Sequence, residues 1–143
     1  MSSVIELAFP GGKRVDARMD GFVVHADQPK SAGGEDSAPA AYDLFLASIA
    51  LCAGTYALAF LQSRGLSSEG LRIRQTIETS PDTHLPRKIE ICVTPPAALP
   101  SKYSIAFLRA IENCKIKKTI QSPPEVLVKV SEEESHVPSH TMP

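Results

Sequence analysis

Residues Asp43 to Arg64 read DLFLASIALCAGTYALAFLQSR. Inside this stretch lies an apolar run of 18 residues, Leu44 to Leu61, with one cysteine, Cys52, near its middle. Three readings compete: a membrane span, a buried structural helix, or a helix that presents a reactive thiol. As a helix the run extends about 27 Å, just short of the roughly 30 Å hydrocarbon core of a bilayer. It contains Ser48, Gly54, Thr55 and Tyr56, five of its residues are alanine, and no basic cluster flanks it. A membrane span is therefore not expected. A helix that is apolar all round must be covered all round, and a 143-residue monomer hardly suffices to wrap it. The expectation is a sheet on one face and a second copy of the chain on another. Ala47, Ala50, Ala53, Gly54 and Ala57 leave room for a helix to come close.

The rest of the chain sets the frame. Its size fits a single domain, 1–130, with a polar, acidic tail over 131–143. Lys+Arg number 15 against Asp+Glu 16, which gives a formal charge of −1. No basic surface or stacking aromatics call for nucleic acid. With no tryptophan, five phenylalanines and three tyrosines, the core must be mostly aliphatic. The opening MSSVIELAFPGGKR has no basic n-region, and Glu6 and Pro10 break its apolar stretch, so export is not expected. A cytoplasmic, reducing setting follows, in which Cys52, Cys92 and Cys114 stay thiols rather than form a disulfide framework. Their dispersal excludes a C-x-x-C zinc site. His136 and His140 stand four apart, but in a Ser/Glu/Pro-rich tail, and neither a metal nor a cofactor is expected.

SVIELAF, KRVDARM and FVVHAD alternate apolar and polar residues around PGG (10–12) and Asp20-Gly21, which predicts a three-stranded antiparallel meander. Gln28 to Tyr42 is a loop of Pro, Gly, Ser and acids. Ser37 or Asp36 is expected to cap the long helix, with Pro39 in its first turn and Gly65 as its stop. GLRIRQTIETS and PRKIEICVTPP predict a hairpin. SKYSIAFLRAIEN predicts an amphipathic helix, CKIKKTIQ a short one, and EVLVKV (125–130) a last strand. The order βββ-α-ββ-αα-β segregates strands from helices, so the fold class is α+β.

Each cysteine has an inert reading as a small buried hydrophobe, and for Cys92, in a strand with Ile89 and Ile91, it is the preferred one. Cys114 differs, because it opens a short helix with Lys115, Lys117 and Lys118 close behind. A helix N-terminus and nearby ammonium groups both favour a thiolate.

GGEDSAPAAYDLFLASIALC resembles the segment of the OsmC/Ohr family in which a Gly-rich loop and a proline lead into a long helix carrying the first cysteine. ENCKIKKTI resembles the family's second cysteine motif. The two cysteines stand 62 residues apart, and the likeness extends roughly from Val4 to Val130. The DQP…GG…P lead-in is most similar to a poorly characterised branch. The resemblance implies an intertwined homodimer with the long central helix buried in it. It also implies thiol-dependent reduction of organic hydroperoxides at the interface. On that pattern Cys52 is peroxidatic, Cys114 resolves it to a disulfide, and an external dithiol completes the cycle. The peroxidases of the family add an arginine from an early strand and a glutamate ten residues before the first cysteine. Here that position is Tyr42, with Asp43 beside it, and Lys115 stands where a proline usually follows the second cysteine. Arg14 or Arg18 is expected to supply the cation that a thiol in an apolar helix needs. Arg18 is favoured, oriented by Asp43, with Glu35 as the alternative carboxylate. The competing function is a dimeric protein that binds a small apolar molecule and whose thiols are not catalytic.

Overall fold

The computed structural model describes residues 3–131. The tail expected over 131–143, with His136 and His140, lies outside the described residues except for Ser131. The chain opens with strands β1 (Glu6–Gly11), β2 (Arg14–Met19) and β3 (Phe22–Ala26), paired in that order as an antiparallel meander. A register irregularity falls between Ala8 and Gly11, where PGG turns the chain. At the second turn Asp20 and Gly21 both adopt positive φ, 45° and 81°. This is the left-handed pair that a two-residue hairpin connection demands.

Helix α1 runs over Ala41–Gln62 and ends where Gly65 takes φ +63°. The Leu66 N–H reaches back to the Leu61 carbonyl at 3.0 Å and closes the last turn. Strands β4 (Arg72–Thr79) and β5 (Pro86–Thr94) form the expected hairpin. Helices α2 (Ser104–Glu112) and α3 (Lys115–Gln121) follow, with a single 3₁₀ turn, Ser101–Tyr103, leading into α2.

The core is small. Ala53, Ala57 and Leu61 of α1 are fully buried and pack with Phe60 against Phe107 and Ile111 of α2. Phe60 meets the Phe107 ring edge-on at 5.4 Å and the Tyr103 ring at 6.4 Å. The Arg64 guanidinium covers the outer face of Phe60 at 3.6 Å. The inner face of the β4–β5 hairpin, with Ile73, Ile91 and Val93, closes the cluster. Thus α1 does serve as a core helix, although it is long and apolar enough to cross a membrane.

Two expectations are corrected. Neither Ser37 nor Asp36 caps α1: the N-cap is Ala40, with no side-chain cap hydrogen bond, and Pro39 precedes the helix. The physical reason is the loop: Ser37 donates its hydroxyl and its N–H to the buried Asp27 carboxylate, which holds it away from the first turn of a helix that begins only at Ala41. Secondly, Glu125–Val130 pairs with no strand among the described residues. A strand exists only through its ladder, and this segment joins neither the meander nor the β4–β5 hairpin, whose edges stay open; Val128 stands 95 % exposed.

Large apolar surfaces remain uncovered. On α1, Phe45, Leu51 and Leu58 face outward, Leu51 with 70 % of its surface in water. The meander presents one apolar side. Cross-strand neighbours share a face, so Leu7, Ala17 and Val24 line up, as do Met19 and Phe22. Leu7 and Phe22 are exposed. The opposite face carries the charged and polar residues Glu6, Arg18, Asp16 and His25, together with Ala8 and Val23, set by the same register.

Candidate functional site

A groove of about 470 Å³ runs between β5 and helices α2 and α3. Its walls are mainly aliphatic: Ile49 from α1, Ile89 and Ile91 from β5, Leu108 and Ile111 from α2, and Ile120 from α3. Cys114 lies in the wall at 2 % exposure. It is the N-cap residue of α3, and its Sγ accepts the Lys117 N–H at 3.4 Å. The sulfur thus takes the place that a Ser or Asp oxygen fills in an ordinary cap. Charged side chains enter the lining at Arg87, Lys88, Glu112 and Lys117. Lys88 pairs with Glu90 at 2.8 Å and Arg87 with Glu78 at 3.2 Å, which leaves Lys117 as a groove cation with no ion pair among the described residues.

Cys52 is half-buried on α1, three residues after the groove residue Ile49 and one before the core residue Ala53. It sits at the border between the inner stripe of the helix and its outward face. Helices α1 and α3 pack on each other, so the two cysteines occupy neighbouring elements, both as free thiols. Cys92 is elsewhere. It points out from the hairpin opposite Arg74, exposed, with its sulfur 3.6 Å from a Glu90 oxygen.

Among the described residues, no hydrogen bond joins Arg14, Arg18, Asp43 or Glu35 to Cys52 or Cys114. Arg18 is exposed and lines a separate shallow depression with Glu6, Asp20 and Phe22 at the far hairpin. Asp43 is exposed in the first turn of α1. Glu35 offers its backbone N–H to Asp27 at 3.3 Å. Arg14 is placed differently, half-buried, with Nη2 3.6 Å from Asp16 Oδ1. Asp16 is in turn bonded to His25 Nδ1 at 2.8 Å. His25 first, and Arg14 after it, hold the Asp16 carboxyl below its ordinary range.

The loop into α1 is organised by a residue that sequence reasoning passed over. Asp27 is 1 % exposed. Its carboxylate accepts the Ser37 hydroxyl at 2.6 Å and the N–H groups of Gln28 (2.8 Å), Ser37 (3.0 Å) and Glu35 (3.3 Å). These donors, Ser37 foremost, lower its pKa to about 2. Gly34 completes the loop, because a Cβ there would collide with the Gln28 backbone carbonyl. The available signal was an aspartate at the end of a strand, just ahead of a Pro- and Gly-rich segment, where side-chain-to-backbone turns are frequent.

Comparison with known proteins agrees with this architecture. The family model of OsmC-like proteins matches residues 34–129. No curated protein matches the chain. Among solved structures, an osmotic stress induced and detoxification response protein of Psychrobacter arcticus shares 20 % identity over 80 % of this chain and 85 % of its own, with a TM-score of 0.67. An OsmC-like protein of Mycoplasma pneumoniae shares 16 % over 86 % and 89 %, with a TM-score of 0.66. An organic hydroperoxide resistance protein OsmC of Legionella pneumophila shares 16 % over 85 % and 90 %, with a TM-score of 0.52. At these identities the likeness is one of fold.

Proposed function

The chain belongs to the family of OsmC-like proteins, and from that premise we propose that it is a thiol-dependent peroxidase for organic hydroperoxides. The observation that carries this reading is the placement of two thiols on the contacting helices α1 and α3, one of them in the wall of an apolar groove. The groove would receive the organic part of the substrate. The Cys52 thiolate attacks the distal peroxide oxygen, so an S–O bond forms, the O–O bond breaks, and the alcohol leaves with a proton. The Cys114 sulfur then displaces hydroxide from the sulfenic acid, giving a disulfide and water. An external dithiol returns two electrons and two protons. Without the second thiol the sulfenic acid would be open to further oxidation.

The protein works, in this reading, in the cytoplasm as a homodimer. A second copy covers the outward face of α1 and the apolar side of the meander. Arg18 oriented by Asp43 is one pair that would supply the activating charge, with Arg18→Ala as its test.

Free thiols counted before and after one equivalent of cumene hydroperoxide test the reading. Two thiols lost per chain are expected. In Cys114→Ser a sulfenic acid on Cys52 is expected after substoichiometric peroxide. Full peroxide consumption by Cys52→Ser would overturn the assignment. The same apolar groove favours a second reading, a dimeric protein that holds a small apolar molecule, and for that reading no thiol is consumed.

A further inference from the structure

The groove between β5, α2 and α3 has a wall chemistry that discriminates among ligands. Ile49, Ile89, Ile91, Leu108, Ile111 and Ile120 bring aliphatic side chains to it, and no aromatic ring lines it among the described residues. Such walls accept an alkyl chain and offer an aromatic ligand nothing to stack on.

Four charged side chains also line the groove: Arg87, Lys88, Glu112 and Lys117. Arg87 is held by Glu78 at 3.2 Å and Lys88 by Glu90 at 2.8 Å. Lys117 is half-buried and has no ion pair among the described residues. Glu112 is exposed at the end of α2, where water and salt screen it more than they screen Lys117. Helix α3 adds to the positive side, because its sequence KIKKTIQ holds three lysines and no acid. An ammonium whose stem borders an apolar groove is matched by an anion that arrives on an apolar body. An inorganic anion would satisfy the charge and leave the aliphatic walls wet. A plain hydrocarbon would cover the walls and leave the half-buried ammonium without a partner.

We propose that the groove is a binding site for a free linear alkyl carboxylate, with the chain against Ile89, Ile91, Leu108 and Ile111 and the head group at Lys117. The inference rests on the reading of this groove as the seat of a small apolar molecule, and it adds the charge and shape of that molecule and the residue that anchors it. No thiol takes part in the binding.

Isothermal titration calorimetry on the full-length chain tests the site, with octanoate, nonanoate, decanoate and 1-octanol as probes. Saturable binding of decanoate is expected, and the dissociation constant falls about fourfold for each methylene added from octanoate to decanoate. Lys117→Gln weakens decanoate binding about tenfold and leaves the affinity for 1-octanol, which has the chain and no charge, as it was. Leu108→Gln weakens both. Lys118→Gln, exposed on the same helix, changes neither. Equal losses in Lys117→Gln and Lys118→Gln would reveal attraction to the helix at large and overturn the anchor. Binding that Leu108→Gln leaves intact places the chain elsewhere and overturns the site. So does the absence of saturable binding, which is the result if a second copy of the chain fills the groove. Thiol chemistry is read separately, since cumene hydroperoxide carries no anion. Two thiols lost per chain without decanoate binding overturn this inference alone, whereas decanoate binding without thiol loss supports it and overturns the peroxidase reading alone.

Discussion

Asp27 stays charged in a place almost closed to water because four donors from the loop that follows it face it: the N–H groups of Gln28, Glu35 and Ser37 and the Ser37 hydroxyl. A carboxylate whose folded pKa lies near 2, below its unfolded value near 4, adds stability above pH 4 and loses it as the pH falls through 4 toward 2. Asp27→Asn keeps the shape but removes the charge that those donors serve. Its thermal midpoint is expected about 5 °C or more below that of the wild type at pH 7, with the gap closing by pH 2. A gap that persists unchanged at pH 2 would show that geometry, and not charge, is what Asp27 contributes. The residue also explains a misreading. Ser37 has the composition of a helix cap, and sequence places it a few residues ahead of the helix, yet its side chain turns to the loop and donates to the buried Asp27 carboxylate, while the helix begins only at Ala41. Nothing local to Ser37 reveals that Asp27, ten residues earlier, turns inward.

Among the elements, α1 was read from its own pattern, and its start was the part that missed. Its all-apolar surface implied cover on every side. Within one chain only the stripe through Ile49, Ala53, Ala57, Phe60 and Leu61 is buried. Leu51, 70 % exposed on the far side, is thus a clean probe. If that face were free in solution, Leu51→Glu would alter stability by no more than about 0.5 kcal/mol. If a second copy covers it, an unpaired buried charge is intolerable, and the variant is expected to sediment as a folded monomer with an unchanged circular dichroism spectrum. The segment Glu125–Val130 is the counterpart case. Its alternation is that of a strand, and its side chains stand largely in water. Periodicity reports which face a segment can bury, whereas pairing depends on an edge that another part of the fold must offer.

On the scale of the molecule, the buried set is modest for a chain of this length, and three apolar surfaces are left open: the outer side of α1, the apolar side of the meander, and the extended segment after α3. Patches of this kind mark contacts with another macromolecule. Sedimentation equilibrium at micromolar concentration is expected to give twice the 15.4 kDa chain mass. A single species at the chain mass would remove the dimer and, with it, the shared site.

The sequence by itself determined the α+β class, the antiparallel meander, the β4–β5 hairpin, the long helix with its stop at Gly65, and Cys114 as a thiol worth attention. Each of these is written in short-range pattern: period-2 alternation, Asp-Gly at a turn, a glycine after an apolar run, a cysteine at the head of a short helix. Only the tertiary structure decided which partners polar groups find across long loops and between strands. It gave Ser37 to Asp27, paired Asp16 with His25 and Arg14, separated Arg18 from the groove, and withheld a ladder from Glu125–Val130. These outcomes depend on which donors and edges come together in space, and a polar side chain that is equally at home in several contacts is settled by whichever the packed chain brings nearest.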